Sequence, residues 1–116
     1  MHPEKIRMWQ AAEALMAEVD RLVPLVRPHA ANAADHLERS CESGLFNIGE
    51  GVGAYKPKVK ISAYEIAKKE TNEARAILRR LVIKQVLTHR DIQRAYDLAG
   101  VIVVMLTSAI ITLDKR

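Results

Sequence analysis

Residues 43–51 read SGLFNIGEG, a stretch that predicts a close contact between two helices. Positions three apart on a helix share a face, so the amide of Asn47 and the carboxylate of Glu50 line up. Beside them, Ser43 and Gly44 are small enough to let another backbone come near. Because polar groups in a packed contact need hydrogen-bond partners, the stretch predicts a specific, polar helix–helix contact.

Apolar residues recur at steps of three and four on both sides of this stretch and predict four helices. Pro57 suits the first turn of a helix, and Thr88 with Asp91 resembles a capping box that starts another. Asn32 can cap the helix that contains residues 43–51. The predicted helices run from Pro3 to a break at Pro24–Pro28, from Asn32 to about Val52, from Pro57 to about Leu87, and from His89 to about Leu113.

Short connections between these helices predict antiparallel neighbours, hence an all-α, up-down-up-down four-helix bundle. The chain has 116 residues, 49% apolar and 28% charged, which is typical of one folded domain over residues 1–116. Cys41 is the only cysteine and is expected to be a small core residue. No secretion signal is recognisable at the N-terminus, so a cytoplasmic location is expected.

Four polar residues of helices two and three are expected to form a structural polar network in the bundle. If the turn between these helices is centred near Lys56, Arg39 faces Glu73 across the hairpin and forms an ion pair with it. Asn47 and Glu50 complete the network and fix the register of helix two, with Tyr64 as a further partner across the hairpin. A second interpretation of Asn47 and Glu50 is a ligand-binding pocket.

The positive charge of the chain is concentrated in residues 56–94. This segment holds 11 Lys or Arg and 4 acids, whereas the formal charge of the whole chain is only +4. Cations on adjoining turns of helix three are the candidate nucleic-acid-binding residues: Lys68, Lys69, Arg75, Arg79, Arg80 and Lys84. They predict salt-sensitive, sequence-independent binding of RNA or DNA through phosphates, and the scarcity of aromatic residues argues against base stacking. The plain alternative is a solvated charged face.

Residues 98–113 form the longest run without a charge. Its 16 residues fall short of the roughly 20 that cross a bilayer, so no membrane is expected as a partner. A helix that is apolar around most of its circumference must be buried, and a chain of this size can hardly surround it. The run therefore predicts a homo-oligomer interface, in particular at Val101, Val104, Met105 and Ile111.

Motifs of catalysis and metal binding are missing from the sequence. The four histidines are at positions 2, 29, 36 and 89, and none is four residues from another or from Cys41. No Glu-x-x-His, HExxH, Cys-x-x-Cys, phosphate-binding glycine loop or GxSxG occurs. The sequence predicts neither an enzyme nor a metal site nor a cofactor.

The order of these features resembles the four-helix-bundle proteins encoded within bacterial 23S rRNA intervening sequences. That family carries Trp, Ala and Leu at three-residue steps in helix one, as Trp9, Ala12 and Leu15 do here. Its Arg, Ser and Asn-Ile-Ala-Glu-Gly in helix two correspond to Arg39, Ser43 and residues 47–51, and its Ala and Glu in helix three correspond to Ala67 and Glu73.

This chain departs from the family pattern at two places. His36-Leu37-Glu38-Arg39 stands for the usual Gln-Leu-Arg-Arg, and Lys69-Glu70 stands for Gly-Ser, so contacts made by those positions differ. The resemblance implies a ring-shaped homopentamer without enzymatic activity. The architecture is also similar to the basic, pentameric accessory proteins of diversity-generating retroelements, which bind a reverse transcriptase and nucleic acid. The resulting hypotheses are a nucleic-acid-binding scaffold, or alternatively a protein-interaction module that binds a partner protein.

Overall fold

The computed structural model describes residues 3–115, and all regular structure in that range is helical. His2, one of the four histidines considered above, lies outside this range. The four helices are α1 (Pro3–Val26), α2 (Ala31–Gly53), α3 (Pro57–Ile83) and α4 (His89–Asp114). The predicted number and order of helices are confirmed.

Each helix packs against two neighbours: α1 against α2 and α4, and α3 against α2 and α4. Because the connections are short, consecutive helices run antiparallel, and the bundle measures 46 × 22 × 20 Å. The first turns of α1 and α3 therefore lie at the same end of the bundle as the last turns of α2 and α4. This end is called the N-terminal end below.

The core follows the predicted apolar periodicity. On α4 the buried positions step by three and four and finish at Leu106, although the helix continues to Asp114. On α2 the buried stripe includes small residues, among them Cys41, Gly44 and Gly51. The fully buried large side chains are Tyr64, Leu22, Leu37, Ile48, Leu78, Leu81, Ile102 and Leu106.

Two predicted helix ends differ from the structure. α1 continues through Pro24 to Val26, because a proline so near the C-terminus removes only one of the last backbone hydrogen bonds. α2 starts after Ala30, which offers no side-chain cap, and Asn32 already lies inside the helix. The prediction that α2 passes Gly49 is confirmed, since the helix extends to Gly53.

The end of α3 also differs, at Ile83 instead of about Leu87. Gln85 adopts a left-handed backbone with φ 61°. Its N–H donates to Val82 O at 2.9 Å, and the N–H of Val86 donates to Leu81 O at 2.9 Å. This is the pattern of a Schellman motif, which satisfies the last carbonyls of a helix and stops it. A Gln in the position usually held by Gly gives no sequence signal for this stop.

The start of α4 agrees with the prediction. The N–H of Asp91 donates to the Thr88 hydroxyl at 3.1 Å, and the N–H of Thr88 donates to the Asp91 carboxylate at 2.8 Å. This capping box satisfies two backbone donors at the helix start. These hydrogen bonds lower the pKa of the Asp91 carboxyl below its usual value.

Candidate nucleic-acid interface

The six predicted cations of α3 fall on two stripes of the helix. Spacings of seven and four place Lys68, Arg75 and Arg79 on one stripe, and Lys69, Arg80 and the C-cap residue Lys84 lie on the next. Four of the six side chains are exposed, whereas Lys68 and Arg75 are half-buried. The six cations are therefore neighbours on one helix but do not all face the same way.

The first stripe faces α4 and contacts Tyr96. The Arg75 guanidinium lies 4.3 Å from the centroid of the Tyr96 ring, and that of Arg79 lies 5.7 Å from it. Both distances are within the range of cation–π attraction. A β-carbon at Gly100 would lie 3.3 Å from the Arg75 guanidinium, so the glycine leaves room for it. Arg75 is thus held between α3 and α4, where its charge stabilises the contact between these two helices.

Tyr96 and Gly100 were missed by the sequence reasoning, although a signal was present. Arg75 and Arg79 are one turn apart on α3, as are Tyr96 and Gly100 on α4. An antiparallel hairpin with a turn near Val86 brings these two pairs opposite each other. Pairing residues at equal distances from the α3–α4 turn, as was done for the α2–α3 turn, therefore predicts this contact.

The second stripe borders a groove of about 400 Å³ between α2 and α3. Arg80 and Lys84 line this groove together with His36 and Glu73. The imidazole Nε2 of His36 lies 3.2 Å from a carboxylate oxygen of Glu73. One carboxylate therefore lies beside the second stripe, but it has its partner on α2.

No carboxylate of the described residues forms a salt bridge with any of the six cations. The ion pairs of residues 3–115 join Arg21 and Arg94 to Glu18, Arg27 to Asp35, and His36 to Glu73. Arg21 of α1 and Arg94 of α4 are thus paired, whereas none of the six cations of α3 is. Unpaired, exposed cations on adjacent turns can donate to phosphate oxygens without first breaking an ion pair.

The predicted polar network of Arg39, Asn47, Glu50 and Glu73 is not formed. Glu73 contacts His36, which lies about one helical turn before Arg39 on α2, and the Arg39 side chain is exposed. The predicted register was right to within one turn, but the partner was wrong. Among the described residues Arg39 forms no salt bridge.

Among the described residues, Asn47 and Glu50 have no hydrogen-bond partner across the hairpin either. The Asn47 amide donates to the backbone carbonyl of Ser43 at 2.9 Å, within its own helix, and Glu50 is exposed. Neither side chain lines the groove between α2 and α3 or the cavity at the N-terminal end of the bundle, so the second interpretation, a ligand pocket at Asn47 and Glu50, stays a prediction.

The glycines of the same stretch make the close contact that the sequence predicted. A β-carbon at Gly44 would lie 3.1 Å from the Thr71 hydroxyl, and one at Gly51 would lie 2.3 Å from the Tyr64 ring. Gly51 therefore leaves the space that the Tyr64 ring fills. The Tyr64 hydroxyl is buried and has no hydrogen-bond partner among residues 3–115.

Two kinds of reactive group are relevant to catalysis in residues 3–115, the Cys41 thiol and clusters of metal-ligating side chains. Cys41 is buried, and burial raises the pKa of its thiol to about 12, so the nucleophilic thiolate is strongly disfavoured at neutral pH. Residues 3–115 contain no group of three or more His, Cys, Asp or Glu side chains placed to hold a metal ion.

The predicted interface residues of α4 differ in their exposure. Val101, Val104 and Ile111 are exposed, whereas Met105 is half-buried. In the described part of the chain, α4 is the one helix long and apolar enough to cross a membrane, a test that core helices also pass. Only 17% of its most apolar window is buried within the chain. A large apolar surface on α4 is thus left uncovered.

A known protein structure has the same four-helix architecture. A crystal structure of a protein of unknown function from the S23 ribosomal protein family of Bacteroides thetaiotaomicron superposes with a TM-score of 0.85. The two chains are 20% identical, and the match covers 92% of this chain and 97% of the other, which shows a shared fold. No curated protein matches this chain. The family described as 23S rRNA-intervening sequence protein matches residues 4–108, and the chain therefore belongs to that family.

Proposed function

We propose that this protein is a non-enzymatic, homo-oligomeric helical scaffold that binds RNA or DNA with low sequence specificity through the basic face of α3. The observation that carries the proposal is the absence of carboxylate partners for its six cations within residues 3–115. Exposed Lys69, Arg79 and Arg80 are free to neutralise phosphates, and Lys84 extends the same surface.

The mode of binding is contact with the nucleic-acid backbone. Base stacking needs an open aromatic face, and the ring of Tyr96 already carries the Arg75 guanidinium. If four cations each neutralise one phosphate, the affinity falls by about two orders of magnitude between 50 and 200 mM salt. A gel-shift series with single-stranded and double-stranded probes measures this dependence, and binding that is independent of salt would contradict the proposal.

Self-association is supported by the apolar side chains that α4 exposes. Val104 is 68% exposed and lies between Val101 and Ile111 on the outward side of α4. Covering such a surface with a second copy removes it from water, and a ring of copies multiplies the positive field of α3. A stoichiometry of five is taken from the family resemblance alone.

Charge reversal on α3 separates nucleic-acid binding from self-association. Arg79→Glu with Arg80→Glu is expected to abolish the gel shift and to leave the oligomer intact, because both side chains are exposed and Arg79 approaches α4 at Tyr96, ahead of the apolar residues that begin at Val101. Arg7→Glu with Lys115→Glu is the matched control: it changes the net charge equally, at the N-terminal end of the bundle, and should retain most of the binding. Equal loss in both double variants would indicate a dependence on net charge alone.

The alternative function is a protein-interaction module that binds a partner protein and no nucleic acid. The exposed apolar side chains of α4 favour it, since such surfaces mark protein contacts. Under this alternative the wild-type protein gives no gel shift at any salt concentration, while its oligomer persists after charge reversal at Arg79 and Arg80.

Assembly is tested at Val104. Val104→Asp places a charge in the apolar surface and is expected to give a monomer in light scattering, whereas Gln93→Asp, at an exposed position of the same helix, should leave the oligomer unchanged. Wild-type protein that is monomeric at micromolar concentration would refute self-association.

A further inference from the structure

A cavity of about 520 Å³ opens at the N-terminal end of the bundle, between the first turns of α1 and α3 and the last turns of α4. It exists because the tightly packed part of α4 finishes at Leu106, and the later core-facing residues Ala109 and Leu113 are only half-buried. Its size is typical of pockets for small organic ligands, about 300–1,000 Å³. None of the candidate nucleic-acid-binding residues lines it.

The lining of this cavity is mainly apolar on two sides. Met8 of α1 and Met105, Ala109 and Leu113 of α4 contribute to its wall. Methionine side chains are flexible and polarizable, so they adapt to ligands of irregular shape. This wall suits a hydrocarbon chain or ring.

The polar side of the cavity is cationic. Among residues 3–115, Lys5, Arg7 and Lys60 line it with one carboxylate, that of Glu4. The Lys60 ammonium donates to the carbonyls of Gly51 at 2.9 Å and Val52 at 3.2 Å, which fixes it at the C-terminal end of α2. Burial lowers the pKa of Lys60, and the nearby Lys5 lowers it further. Two ammonium groups side by side form a place where an anion is stabilised.

Hydroxyl groups add to this polar side. Ser108 and Thr112 supply them to the lining. Tyr64 also lines the cavity, but its hydroxyl is closed to solvent and lies out of reach of a ligand.

We propose that this cavity binds a small anionic amphiphile, with a carboxylate beside Lys5 and Lys60 and an apolar body against Met8, Met105 and Leu113. The excess of cations over carboxylates selects the anionic head group, and the apolar wall selects the body. A sugar would leave that wall without contacts, and an amine would be repelled by the two lysines. The site is separate from the proposed nucleic-acid interface, and it shares Val104 and Met105 with the predicted oligomer interface.

Isothermal titration calorimetry with decanoate, below its micelle concentration, tests the proposal. Decanoate is expected to bind at one site per chain, and decylammonium at least about tenfold more weakly, because charge-assisted hydrogen bonds form only with the anion. Inorganic phosphate, which offers the anion without the apolar body, should not compete at equal concentration.

Variants of the lining locate the site. Lys5→Met is expected to weaken decanoate binding by about tenfold or more. Ala109→Trp is expected to block it by filling the cavity. Lys69→Met removes the same charge from an exposed position outside the cavity and should have no effect. Lys60 also caps α2, so Lys60→Met is expected to lower the stability of the fold as well. A thermal melt followed by circular dichroism therefore accompanies the binding measurement on this variant.

Equal affinity for decanoate and decylammonium, or decanoate binding that survives both Lys5→Met and Ala109→Trp, would overturn the proposal. Effective competition by inorganic phosphate would overturn the requirement for an apolar body. Arg79→Glu with Arg80→Glu should leave decanoate binding unchanged, so failure of the nucleic-acid proposal would not be mistaken for failure of this one.

Discussion

The close contact that Gly44 and Gly51 of α2 make with α3 is complementary within the chain, whereas the outward side of α4 exposes large apolar side chains. At the α2–α3 contact, Gly51 leaves the space that the Tyr64 ring occupies. On α4, Val104 extends a large apolar side chain into solvent. The difference teaches that small residues mark a contact completed inside the chain, whereas the large apolar residues on the outward face of α4 form the surface on which we propose that a second copy packs.

The sharpest test of this difference uses two neighbouring positions of α4. Leu106→Ala is expected to lower the free energy of unfolding by about 2–5 kcal/mol, because Leu106 is fully buried and its truncation leaves a cavity. Val104→Ala should change it by less than about 0.5 kcal/mol in dilute, monomeric protein. Urea denaturation at several protein concentrations measures both. A cost for Val104→Ala that does not depend on concentration would remove the distinction between the two faces.

A smaller effect is expected at the α2–α3 contact. Gly51→Ala should destabilise the protein by about 1–3 kcal/mol, because the new β-carbon overlaps the Tyr64 ring. Gly53→Ala is the matched control, since a β-carbon there meets nothing within 4 Å; alanine should be neutral or stabilise the helix by up to about 1 kcal/mol. Similar stabilities of the two variants would show that the contact is not tight.

The two ends of α4 also differ, since its start is capped by Thr88 and its last turns are loosely packed. Removing this cap is expected to have the smallest effect on the free energy of unfolding. Thr88→Ala should cost about 1 kcal/mol, and Thr88→Ser, which keeps the hydroxyl, should stay near wild type. Thermal or urea unfolding of the three proteins measures this cost. A Thr88→Ser variant as unstable as Thr88→Ala would show that the hydroxyl does not cap the helix.

Asp91 adds a pH dependence to the same cap. The pKa of its carboxyl is lowered in the folded state, so the ionised form stabilises the protein above the unfolded pKa of about 3.9. That contribution is lost as the pH falls through the lower, folded pKa. The stability difference between wild type and Asp91→Asn should therefore be constant near neutral pH and shrink in acid, as unfolding at a series of pH values measures. A stability difference that grows in acid would mean that the pKa of Asp91 is raised in the folded state, and it would contradict the role of its carboxylate in the cap.

The helices were predictable because their signals are local. Pro57 and the Thr88–Asp91 capping box mark two helix starts within a few residues, and these predictions are confirmed. The end of α3 was not predictable, because Gln85 adopts a left-handed backbone that more commonly belongs to Gly or Asn. Local rules thus succeed where the residue type matches the required backbone conformation.

The candidate site was predictable in its residues but not in its arrangement. The six cations of α3 follow from the sequence, and helix periodicity predicts that they share a helix surface. Arg75 is held against Tyr96, and Arg80 borders the groove between α2 and α3. These neighbours depend on how α4 and α2 are rotated about α3. A rotation of one residue, about 100°, would exchange these neighbours.

By itself, the sequence determined four helices, their antiparallel order, the family, the cationic character of α3 and the need for small residues at 43–51. Only the tertiary structure decided that Glu73 pairs with His36 instead of Arg39, that Gly51 faces Tyr64, and that a cavity opens at the N-terminal end of the bundle. The physical reason is that hydrophobic periodicity is a property of one helix, whereas partners and cavities depend on the rotation and register of several helices packed together.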